Sequence, residues 1–154
     1  MEVHKETLTQ AVELYLAVAY PNGAPAGPRQ KLEALVAMPA GATVPEHFFE
    51  PAPGLAGEAK ALRLGQPLYP HMKLIVERCG DSTCDSGAML RVDTHDKHLH
   101  APPGSPDAEW LQKLRDSNKA LTEKIEGAWM AAGLPTFKGF LRAQLEARKR
   151  RSGG

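Results

Sequence analysis

Two runs in the middle of the chain alternate apolar and polar side chains. In 72–78, Met72, Leu74 and Val76 are separated by Lys73, Ile75 and Glu77, with Ile75 the one apolar interruption. In 89–94, Leu90 and Val92 alternate with Arg91 and Asp93. Successive side chains of a strand point to opposite faces, so each run predicts a strand with one buried face. Between them, Gly80, Asp81, Ser82, Asp85, Ser86 and Gly87 are turn formers, which makes the pair an antiparallel hairpin with a long loop.

Pairing Val76 with Leu90 and Leu74 with Val92 gathers the apolar side chains on one face. The opposite face then sets Lys73 against Asp93, Ile75 against Arg91 and His71 against His95. A slip by one residue would turn the charged set into the core. The run 59–64 predicts a third strand. Pro67 and Pro70 cannot donate to a ladder, so the approach to the hairpin lies at an edge or a bulge.

On either side of these runs the apolar spacing becomes helical. Leu8, Ala11, Val12, Tyr15, Val18 and Ala19 predict a helix over 7–20 with Thr7 as its cap, ended by Pro21-Asn22-Gly23. Leu14 and Leu16 widen its apolar face, as in a helix buried on more than one side. Leu32, Leu35, Val36 and Met38 predict a second, short helix with Pro28 in its first turn. Over 39–57, Ala, Pro and Gly surround Val44, His47, Phe48 and Phe49. This stretch reads as a covering loop with one helical turn after Pro45, docked by the two phenylalanines, with His47 at the tip of a candidate lid.

The longest pattern comes last. Ser105, Pro106, Asp107 and Glu109 are a helix start: a capping hydroxyl, a proline at the first position, then acids at the positive end of the dipole. Gly133 and Pro135 end that helix near Ala132. Within it, Leu111, Leu114, Asn118, Leu121, Ile125, Ala128 and Ala132 follow alternating steps of three and four. Asn118 falls at an inward position, where a buried asparagine sets register in parallel zippers. Thr136 caps a final helix whose apolar side is Phe137, Phe140, Leu141 and Leu145.

These elements add up to an α+β fold in one compact domain over 1–151. It consists of N-terminal helices (1–38), a small antiparallel β-meander of about three strands (58–96) and a C-terminal hairpin of long helices (105–151). Residues 152–154 form a flexible tail. At 154 residues the chain is long enough to bury a core, and 42% hydrophobic with 24% charged residues is ordinary globular composition. The net charge of +1 singles out neither nucleic acid nor a lipid surface. With no spanning-length apolar run and no signal pattern, the expectation is no membrane and a cytoplasmic location.

Candidate chemistry concentrates around the hairpin. If His71 and His95 face each other, Asp93, Asp96, His98 and His100 stand close by. Imidazoles and carboxylates suit zinc or a similar divalent transition metal. Cys79 and Cys84 are weaker candidate ligands, since a zinc ribbon needs a second cysteine pair and the chain has only these two cysteines. They read first as free thiols; a disulfide closing so small a loop would stabilise little outside an oxidising compartment. A Cys–His nucleophile pair has no rigid element to hold it. His95-Asp96 resembles the His-Asp pair of metal-dependent phosphohydrolases, but those are all-helical and this pair ends a strand.

Three functions follow. The favoured one is a small non-enzymatic interaction or assembly protein, dimeric or bound to a protein partner through Leu111, Leu114, Asn118, Leu121 and Ile125. Its pattern covers the most residues. The second is a metal-binding or metal-dependent protein with its site at the hairpin end. The third is nucleic-acid binding through the basic last helix, where Lys138, Arg142, Arg148, Lys149, Arg150 and Arg151 face only Glu146. No catalytic residue is identified.

Overall fold

A computed structural model describes residues 3–51, 59–64, 72–78, 88–94, 96 and 99–153. The fold is α+β, and the described residues form four α-helices and a four-stranded antiparallel sheet. In chain order the elements are α1 (Lys5–Ala19), α2 (Ala26–Ala37), a 3₁₀ turn (Glu46–Phe48), β1 (Glu50–Pro51), β2 (Lys60–Arg63), β3 (Lys73–Arg78), β4 (Ala88–Asp93), α3 (Pro106–Ala131) and α4 (Phe137–Gly153).

The sheet is a meander in the order β1-β2-β3-β4. Its central register is the expected one: Lys73 opposes Asp93, Leu74 opposes Val92, Ile75 opposes Arg91 and Val76 opposes Leu90. Leu62, Leu74, Val76, Leu90 and Val92 all belong to the main core. Ile75 lies on the other face and is fully buried too, forming a second small cluster with Ala59 and Ala61. Among the described residues the strand count is four rather than about three. The extra strand, β1, pairs Glu50 with Ala61 and Pro51 with Lys60. Two residues, one of them proline, carry no alternation from which a strand can be read.

α1 supplies Leu8, Ala11, Val12, Tyr15 and Leu16 to the core. It starts at Lys5 rather than Thr7, and His4, its N-cap, makes no side-chain capping bond. The reason lies in 41–44. Lys5 N donates to Ala42 O at 2.8 Å, and Val44 N donates to Val3 O at 2.8 Å. The Lys5 bond satisfies one of the amides that a helix start leaves without an intrahelical partner. Gly41 N donates to Glu6 Oε1 at 2.7 Å, holding the Glu6 carboxyl below its usual range.

Both N-terminal helices grip the end of β2. Tyr20 Oη donates to Leu64 O at 3.3 Å, and Lys31 Nζ donates to Arg63 O at 2.6 Å. Phe48 and Phe49 pack on the core, as the covering-loop reading requires. α3 crosses α1, where buried Trp129 donates its indole N–H to Ala11 O at 2.9 Å. Its start is as read: Ser105 Oγ accepts from Ala108 N, with Pro106 at the first position. Gly133 ends it with φ of 76°, a left-handed conformation that glycine adopts without steric cost. α4 is capped by Thr136, whose Oγ1 accepts from Gly139 N at 2.9 Å, and its helix continues to Gly153.

Candidate functional site

Three places in the sequence carry candidate function, and the fold treats each differently. The first is the hairpin end. His71, Cys79, Cys84, His95 and His98 lie outside the described residues. Asp93 is buried, and His100 is exposed. Asp96 is half-buried and accepts from Asn118 Nδ2 at 3.2 Å through Oδ2. Asp93 and Asp96 line one open cleft of about 570 Å³ between the end of β4 and α3. Glu123 and Glu126 line it too, but so do Arg115, Lys119 and Lys138. Among the described residues, no group of three or more His, Cys, Asp or Glu side chains is arranged to hold a metal ion.

The second place is the heptad seam of α3. Leu111, Asn118 and Ile125 are buried, and Leu114 and Leu121 are half-buried. Ile125 and Trp129 belong to the main core, with Leu121 packed against it. The C-terminal part of the seam therefore packs into the core of its own chain. Asn118 is inward, as its position in the heptad requires, but its amide reaches Asp96 rather than an asparagine on a partner helix. A three-four spacing reports that one face is apolar; it does not report what covers that face.

The third place is the C-terminal helix. Read from sequence, Phe137, Phe140, Leu141 and Leu145 make its inner side. In the fold, only Phe140 of these four is half-buried, together with Gly139, Gln144 and Ala147. Phe137 is 41% exposed, Leu141 44% and Leu145 58%. The reason is how α4 begins. Pro135 O accepts from Leu90 N at 2.7 Å, and Thr136 bridges Leu90 in parallel, so the chain starts α4 pinned along the edge of β4. One side of the helix then faces the domain and the Phe137–Leu141–Leu145 line faces away. Lys138, Arg142 and Lys149 border that line, enclosing a shallow groove with Leu141, Leu145 and Glu146.

Sequence reasoning missed Glu126. Its carboxylate is buried; Oε1 accepts from Val92 N at 3.0 Å and Oε2 lies 3.6 Å from Lys138 Nζ. With Pro135 on Leu90, it closes the outward side of β4. Nothing local marks it, because an acid beside a buried isoleucine on a helix usually points to solvent. Among the described residues no helix is long and apolar enough to cross a membrane. The chain matches no protein-family model, no curated protein and no solved structure.

Proposed function

We propose that the protein is a small non-enzymatic interaction protein of the cytoplasm that docks another protein on the outward face of α4. The observation that carries this reading is the exposed row Phe137, Leu141 and Leu145. Single exposed apolar residues, such as Val36 and Trp110 here, are ordinary on a soluble surface. Three in register along one helix are the anchors of helix-in-groove recognition. The interaction class expected from the heptad is kept, and the surface proposed for it is α4.

The test is selection of a displayed random-peptide library on the full-length protein, followed by binding assays on a Leu141→Ser/Leu145→Ser variant. Both positions are exposed, so the variant keeps the fold, which circular dichroism verifies. Most selected peptides are expected to lose binding to the variant. Peptides that bind both proteins alike, or no selection at all, overturn the reading.

A second reading, a divalent metal at the hairpin end, draws support from Asp93 and Asp96 sharing one cleft. Elemental analysis of protein purified without chelator, beside a His71→Ala/His95→Ala variant, decides it. About one equivalent of metal in the parent and none in the variant supports the site. None in either, after incubation with excess zinc, removes it.

A further inference from the structure

Resting on the docking role of α4, we infer that its partner is an acidic amphipathic protein segment, rather than a lipid surface or a nucleic acid. Such a segment sets apolar anchors between Leu141 and Leu145 and carboxylates over Arg142 and Lys149.

The first support is the shape of the exposed row. Positions four apart on a helix drift by about 40° per step, so Phe137, Leu141 and Leu145 span an arc of about 80°. Arg148, three turns beyond Phe137, falls back within that arc. A bilayer interface wets a broad apolar face and tolerates cations only beside or above it. Sinking this row into acyl chains would carry Arg148 down with it. A partner groove needs only a narrow row of anchors and can place a carboxylate at the arginine.

The second support is where the cations stand. Lys138, Arg142 and Lys149 line the same groove as Leu141 and Leu145, with Glu146 as its one acid, so cations outnumber acids there three to one. Lys138 is already engaged by Glu126 at 3.6 Å. Among the described residues no ion pair engages Arg142 or Lys149. Their charge is therefore presented outward, directly beside the apolar row. A phosphate backbone would satisfy these cations but would lie against three apolar side chains.

The third support is the charge of the rest of the chain. The six cations and single acid from Lys138 to Arg151 sum to +5, and the whole chain carries +1, which leaves −4 elsewhere. An extended anionic surface that approached α4 would meet repulsion from the remainder of the molecule. A short acidic segment meets only the cationic helix.

The experiment is fluorescence anisotropy on the full-length protein with two synthetic helical peptides. Each carries leucines at the spacing of Phe137, Leu141 and Leu145, flanked in one by glutamates and in the other by lysines. The glutamate peptide is expected to bind about tenfold or more tightly than the lysine peptide, from several exposed pairs acting together. High ionic strength should narrow that ratio, and Arg142→Glu/Lys149→Glu should reverse it. Phosphatidylserine vesicles and a short DNA duplex are titrated in parallel. Equal binding of the two peptides overturns the inference, as does tighter binding of vesicles or duplex. If library peptides map to α4 without being acidic, the docking role stands and this inference alone falls.

Discussion

Glu126 uses a side-chain carboxylate where a neighbouring strand would offer a carbonyl. Removing it leaves the Val92 N–H buried without an acceptor and Lys138 without its counter-charge. Glu126→Ala is therefore expected to lower stability by about 1–3 kcal/mol, measured by urea unfolding. Glu126→Gln keeps an acceptor oxygen and should lose less. Glu50 makes a different prediction. The Lys73 ammonium, 3.0 Å away, holds the Glu50 carboxyl below its usual range. A lowered folded-state value means stability that is present above the unfolded value and lost as pH falls through the folded one. The difference in stability between the parent and Glu50→Gln should therefore be seen at neutral pH and vanish well below about pH 4. A difference unchanged by acid would mean that the ion pair contributes nothing. Neither role is legible in the sequence. Each joins positions far apart in the chain, and only the fold sets the distance between them.

At the scale of elements, α3 and α4 look alike in sequence and behave oppositely. Both begin with a side-chain cap, and those local signals were readable: Ser105 and Pro106 start α3, Gly133 ends it, and Thr136 starts α4. The hairpin register was readable too, because a slip would have put Arg91 and Asp93 among the core residues. What period alone does not contain is the identity of the covering element. Ile125 of α3 is fully buried in the core of its own domain, so Ile125→Ala should cost about 2–5 kcal/mol through the cavity it leaves. On α4, Leu145→Ala removes an exposed side chain and should change stability by no more than about 0.5 kcal/mol. Parallel denaturation curves of the two variants measure both. If Leu145→Ala proved as costly as Ile125→Ala, α4's outward face would be packed rather than presented. β1 escaped the sequence for a simpler reason: two residues are too few to show a period.

Across the whole molecule, charge and sheet edges share one logic. The cationic end and the acidic remainder make the chain dipolar, so its encounter with an acidic partner should slow as salt screens the attraction. Stopped-flow association rates at increasing ionic strength measure this; a flat profile would leave the dipole without a role in association. Among the described residues, both edges of the sheet offer an outside strand little to pair with. β1 is two residues long and includes Pro51, which has no amide to donate. The opposite edge, β4, is occupied at Leu90 by Pro135 and at Val92 by Glu126.

That second closure has a consequence in time. Glu126 follows Val92 by 34 residues, so a ribosome adding about 5–20 residues per second delivers it about 2–7 s later. During that interval the outward amides of β4 are free to recruit a strand from another chain. Rare synonymous codons placed between positions 93 and 126 lengthen the interval without altering a single residue. They are expected to lower the soluble yield of a protein whose finished form is unchanged.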